Sequence, residues 1–279
     1  MSKLVPDGEG PMIIAEAGEL MRLSTRRGFV RSLLAGGSVL MLPTVFAACD
    51  DDDDPTGPGA TPGPVTGLSF DLTTDVGIFR FVHVQEQLEA AFYTAVVANA
   101  NFGTFFNADE RELLTDLRDV EVIHREFVRT ALGSQAVPDL SGSLNTGTLN
   151  TLLSSRANIL AAARLFEHIG VGALNGAGKY LQDGRNLLLA GKFASVEARH
   201  AAALRDVSPP AGVNANTAFA GDDIIDGNGR YVKLEVGAVL TKVASANVVM
   251  ANTFATNTFT AAPTATQGVA SADFFPANP

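Results

Sequence analysis

The sequence predicts an all-α protein, a four-helix bundle with a long crossover followed by a C-terminal extension that holds one more helix. Three observations carry that reading. Four stretches between Thr74 and Val207 repeat apolar residues at threes and fours, the spacing of one helix face. Each stretch sets a Glu, or a Glu followed three residues later by a His, on that apolar stripe. A Gly-, Ser- and Pro-rich stretch at 133–149 parts the second helix from the third and supplies the crossover.

The first helix is expected to start at Thr74 or Asp75, either of which accepts backbone N–H bonds as an N-cap, and to run to about Asn99. Phe79, Val82, Glu86, Glu89 and Tyr93 fall on one of its faces. The second opens with Asn107-Ala108-Asp109-Glu110, a capping-box arrangement, and stops at Gly133. Its inward stripe reads Leu113, Leu117, Glu121, His124 and Val128. The third is expected over 150–174, with Leu160, Ala163, Glu167 and Val171 aligned, and Asn175-Gly176-Ala177-Gly178 breaks it. The fourth runs from about Asp183 to Asp206 and ends before Pro209-Pro210, with the stripe Leu189, Phe193, Glu197, His200 and Leu204. In the remainder, 208–232 is loop-like, Lys233–Asn252 suits one further helix, and the Thr/Ala/Asn/Pro-rich end reads as surface coil.

The ligand-type residues therefore come in the order Glu86, Glu121 with His124, Glu167, Glu197 with His200. A pair of divalent metals in a helix bundle is held by this set: one Glu from each of two helices and a Glu-x-x-His pair from each of the other two. A spacing of three puts both members of a pair on one face. A single Glu in an amphipathic helix is ordinarily a solvent-facing charge, but six such residues on four apolar stripes are not, because buried unpaired carboxylates are strongly unfavourable. Glu86 is preferred to Glu89 as the first-helix ligand because it lies nearer the middle of its stripe; Glu89 then supports the site or faces solvent. His83, three residues before Glu86, is a further ligand or donor to the site, or a plain core or surface histidine. His168 points away from its neighbour Glu167 by about 100° and reads as a packing residue.

The first fifty residues read as an address. Thr25-Arg26-Arg27-Gly28-Phe29-Val30-Arg31 resembles a twin-arginine export signal, and an apolar run from Leu33 to Ala48 follows, shorter than a comfortable bilayer span. Ala47-Ala48-Cys49 resembles the end of a lipobox, which would make a lipidated Cys49 the mature N-terminus; Phe46 stands where that pattern prefers Leu. Residues 1–20 carry no recognisable signal chemistry, and Met21 is a more natural start than Met1. The expected organisation is a signal region at 1–49, an acidic Pro/Gly-rich linker at 50–70, a four-helix domain at 71–207 and an extension at 208–279. Removing residues 1–49 takes away five Lys/Arg and four Asp/Glu, leaving 15 basic against 26 acidic residues. That balance argues against nucleic acid and against a basic membrane patch, so attachment would depend on the lipid. The single Cys excludes an intrachain disulfide and a Cys-rich metal site, leaving oxygen and imidazole ligands.

With LEAAFY, EVIHREF, FEHIGVGAL and ASVEARHAAALR on the four helices, Asp75–Val207 resembles the bacterial and plant ferritin-like domain family that includes desiccation-related proteins. The resemblance implies a ferritin-like bundle whose centre holds two divalent ions, iron or manganese, with dioxygen or peroxide as partner. It implies Glu121 and Glu197 as bridging ligands, His124 and His200 each on one metal, Glu86 and Glu167 terminal, and Tyr93 as a hydrogen-bonding support. Leu174 departs from relatives, which carry a Tyr in that region. The function expected is an exported protein, tethered through Cys49 to the extracytoplasmic or periplasmic face of the cell membrane, that oxidises Fe(II) or removes peroxide under stress. The alternative is a non-enzymatic stress or desiccation-related envelope protein using the bundle as a scaffold. Whether it forms a homo-oligomer is left open, and the tether and tail disfavour a storage cage.

Overall fold

Helix α1 (Asp75–Val97) forms where its cap and pattern place it: the Thr74 hydroxyl accepts the Gly77 N–H, closing the first turn. It belongs to a computed structural model that describes residues 62–261. Cys49, the twin-arginine-like stretch Thr25–Arg31, the Asp50–Asp54 run and the last eighteen residues lie outside the described residues.

Helix α2 (Ala108–Leu132) carries the expected capping box, with Asn107 accepting from the Glu110 N–H and the Glu110 carboxylate accepting from the Asn107 N–H. Gly133 ends it at φ 54°, a conformation that favours glycine. Helix α3 (Arg156–Ala177) starts later than the sequence pattern suggests. A short helix, Thr146–Leu152, precedes it, and the chain turns at Leu153–Ser155 so that the Ser155 hydroxyl caps α3 by accepting the Asn158 N–H. The crossover is thus partly helical, and the Asn145 side chain, which accepts from the Thr148 N–H, allows a helix start that a Gly/Ser count hides. α3 also continues past Asn175 to Ala177, because a glycine lowers helix propensity without forbidding the helix. Helix α4 (Gly184–Val207) is capped by Asp183.

α1 packs on α2, α3 on α4, and α1 on α3, giving the ferritin-like four-helix arrangement that the sequence predicts. The core joins Leu114, Leu117, Ile159, Leu160 and Leu204 to the apolar residues of α1. α1 is buried nearly all round, not along one stripe. The crossover covers one flank of it: Gln87 accepts the Leu140 N–H and donates to the Pro138 carbonyl, while His83 Nδ1 accepts the Val137 N–H. Asp75 accepts from the backbone N–H groups of Gln182 and Asp183 and from the Asn186 amide, pinning the start of α1 to the start of α4.

The extension is more ordered than a surface coil. Arg205 reaches out of α4 to donate to the Ala218 carbonyl at 2.6 Å and to Asp223 at 2.6 Å. Leu234 then lies flat on α3, its N–H donating to the Gly172 carbonyl. A Cβ on Gly176 would stand 1.9 Å from the Leu234 carbonyl oxygen, so this crossing needs glycine. The additional helix, α5 (Val236–Ala246), is shorter than the expected 233–252 and stops at Asn247 with φ 52°. Two strands then appear that period-3.6 reading could not show. β1 (Leu68–Asp71) pairs in parallel with β2 (Phe254–Ala261), joining Leu68 to Phe254 and Phe70 to Phe259. β1 begins inside the stretch read as linker, and its Phe70 is buried against Phe81 of α1, Phe254 and Phe259. Aromatic packing between segments far apart in sequence fixes both strands; the first is only four residues long, and the second lacks a regular in–out alternation.

Candidate metal centre

Midway along the bundle the apolar stripes give way to acid. Glu86 and Glu89 of α1, Glu121 of α2, Glu167 of α3 and Glu197 of α4 are all 0% exposed. The two histidines sit toward the surface of the same cluster, their side chains 10% and 11% exposed. His124 Nδ1 lies 3.2 Å from Glu121, 3.2 Å from Glu197 and 3.3 Å from Glu86. His200 Nδ1 lies 2.8 Å from the other oxygen of Glu121 and 3.3 Å from Glu167. Two groups of four result, Glu86–Glu121–His124–Glu197 and Glu121–Glu167–Glu197–His200, and within each the ligand-type atoms lie within 4.8 Å of one another. Glu121 and Glu197 are common to both. All six sequence-derived candidates are thus brought together.

Their oxygens converge without satisfying each other. Both oxygens of Glu86 and Glu197, Oε1 of Glu121 and Oε2 of Glu167 are buried and make no hydrogen bond. Buried acceptors are normally paired, and several left unpaired at one place mark a missing cation or proton. The donor set is carboxylate oxygen and imidazole nitrogen, which suits iron, manganese or zinc. Charge agrees: four carboxylates balance two divalent ions.

Protons answer the same demand. Burial pushes the Glu86 carboxyl up to about 7, with His124 acting against the rise. Burial, and then the neighbouring glutamates, raise Glu89 and Glu197 well above the usual carboxylate range. For Glu121 burial also favours the neutral acid, but the His124 ring hydrogen-bonded to its Oε2 and the His200 ring 2.8 Å from its Oε1 overcome it and hold the group at about 2. Burial disfavours charge on the two rings, yet the carboxylates prevail, raising His124 well above its ordinary value and His200 to about 10. Ligands must shed such protons to take a metal, so binding releases them.

The surroundings hold this arrangement in place. The Tyr93 hydroxyl donates to Glu167 Oε1 at 2.6 Å, across from α1 to α3. Burial and the Glu167 charge keep its phenol protonated and therefore a donor. Phe193 packs on the His124 ring at 4.4 Å between centroids. Gly170 supplies room: a Cβ there would stand 2.6 Å from Gln85 Nε2, 3.0 Å from Glu197 Oε2 and 3.2 Å from Glu89 Oε1. Gln85 and Gly170 escape sequence reading, since neither is a ligand type; the only signal is a Gly one turn from Glu167.

Three residues of uncertain role are placed by the structure. Glu89 does not face solvent; it is buried beside Gln85 and Gly170 with both oxygens unbonded, outside the two groups of four. His83 is drawn to the crossover through Val137 and not into the acid cluster, and burial lowers its pKa to about 4, so the ring is neutral. His168 turns outward to the extension, its Nδ1 3.1 Å from the Tyr231 hydroxyl.

Residues 74–209 match the family model of the ferritin-like domain. No curated protein and no solved structure matches the chain.

Proposed function

Starting from a ferritin-like domain at residues 74–209, we propose that the protein binds two divalent ions, iron or manganese, and uses them on dioxygen or peroxide. The single observation that carries this reading is the set of unbonded, fully buried carboxylate oxygens shared between two four-residue groups. Glu121 and Glu197 stand between the two positions and would bridge the ions. Glu86 and His124 would complete one, and Glu167 and His200 the other. Such a metal pair supplies Lewis acidity and electrons to a bound oxidant. The chain's own groups orient the ligands: Tyr93 fixes Glu167, and Phe193 packs at a tilt against the His124 ring. The two histidines are the only members with appreciable exposure, so ions and polar oxidant approach between α2 and α4.

Export belongs to the same proposal. The twin-arginine-like motif and Cys49 support delivery across the membrane and a lipid tether, and the described residues contain no helix long and apolar enough to cross a membrane. Folded export suits a protein loaded with metal beforehand.

The test is metal stoichiometry by elemental analysis of purified protein reconstituted with Fe(II) or Mn(II), joined to oxidation or peroxide-removal assays. About two ions per chain are expected, falling below one in Glu121→Ala, which loses a ligand to both positions, together with turnover. Protein that takes up no ion, or that turns over equally well after the substitution, would exclude the reading.

A further inference from the structure

The crossover is fastened to α1 by two side chains one helical turn apart. His83 Nδ1 accepts the Val137 N–H at 3.2 Å. Gln87 Oε1 accepts the Leu140 N–H at 2.9 Å, and its amide donates to the Pro138 carbonyl at 3.2 Å. The side chains at the bonded positions, Val137 and Leu140, are buried. The two fastenings differ in chemistry. Gln87 offers donor and acceptor together at every pH. His83 can accept only while Nδ1 is unprotonated, since a backbone N–H can only donate. The ring's one proton therefore sits on Nε2, which is buried and makes no hydrogen bond.

A second proton would set an N–H on Nδ1 against the Val137 N–H, donor facing donor, on a ring that no carboxylate bonds. The charges that reach it come from α2. Glu126 favours a cationic ring while Arg125 and Arg129 oppose it, and Glu126 is itself paired with both arginines. The crossover brings Asp139, whose carboxylate accepts the Ser141 N–H instead. On α1 the next acid, Glu86, is committed to His124 at 3.3 Å.

We propose that His83 is an acid-release latch: a proton on its ring frees residues 136–141 of the crossover from α1 and opens that apolar flank while the bundle stays folded. The sign follows from burial, which lowers the ring from 6.5 to about 4, so the closed form binds the proton more weakly than the open one. Opening gains as pH falls below 6.5 and stops gaining below about 4. The acid cluster acts in the other sense, because Glu86 and His200 stabilise the fold more fully at low pH. The readout must therefore be local.

The test is amide hydrogen exchange by NMR on the full chain, with chelator present throughout, at about pH 7.5 and about pH 5 and with rates corrected for the intrinsic effect of pH. Protection of the Val137 N–H should fall at least about tenfold between the two. Leu117, buried within α2, should lose none, since it reports unfolding of the bundle. In His83→Asn the side-chain oxygen takes the place of Nδ1 and stays neutral, so the acid response at Val137 should vanish. His83→Gln serves if that variant fails to fold. Equal protection of Val137 at both pH values in the parent, an equal loss at Leu117, or an acid response that survives in the folded variant overturns the proposal.

Discussion

Tyr93 is the residue whose removal separates support from ligation. Its hydroxyl makes one 2.6 Å bond to a fully buried carboxylate, and a hydrogen bond to a charged group contributes about 1.5–3 kcal/mol. Tyr93→Phe should keep the fold and both ions but weaken the ion held by Glu167 and His200 by about tenfold or more, measured by competition with a coloured chelator. Equal affinities in the variant would show that Glu167 is held by packing alone. The titrating groups make a second prediction. Glu86 and His200 have folded pKa values of about 7 and about 10, above the ordinary 4.5 and 6.5. Their stabilisation is complete below those ordinary values and is lost as pH rises through the folded ones. Glu121, at about 2, has the opposite sign: its contribution is present above 4.5 and lost only in strong acid, as pH falls through about 2. The chelated protein should therefore melt at lower temperature as pH rises from 5 to 9. Glu86→Gln should flatten the part of that slope between 5 and 7. Metal affinity should climb over the same range, because binding displaces the protons.

At the scale of elements, the α3 surface is shaped for the extension that crosses it. Gly172 and Gly176 stand one turn apart under Leu234, and at Gly176 the neighbour is backbone that cannot rotate aside. Gly176→Ala should therefore cost about 1–3 kcal/mol, an overpacking penalty, despite the better helix propensity of Ala. A rise in melting temperature would mean the extension lifts off freely. The extension was also where sequence reading was weakest. Helix starts at Thr74, Asn107 and Asp183 were legible because a side chain bonds the backbone within three residues. The strand pair was not, since Leu68–Asp71 and Phe254–Ala261 acquire their partner only across nearly the whole fold. The split between Thr146–Leu152 and α3 is hidden for a related reason: a capping Ser inside a run of helix-compatible residues looks like one more helical position.

For the molecule as a whole, a cation taken up by the acid cluster would couple folding to metal binding. Five carboxylates at 0% exposure are tolerable only when protons or cations accompany them. A ligand that binds only the folded state stabilises it by about 2.7 kcal/mol at a hundred times its Kd. The reconstituted protein should accordingly melt several degrees above the chelated one, and Glu121→Ala should remove most of the difference. No difference in melting between the two forms would mean that the cluster is neutralised by protons alone.

The sequence by itself determined the helix count of the bundle, the order of its ligand-type residues and the faces they occupy, because periodicity and capping are local properties of the chain. It also carries the Thr25–Arg31 stretch that resembles a twin-arginine signal. Only the tertiary structure decided that Glu121 and Glu197 stand between two positions, that Glu89 is buried, and that His83 serves the crossover. Those facts depend on distances between helices, and an interhelical distance is set by packing, which no single stretch of sequence contains.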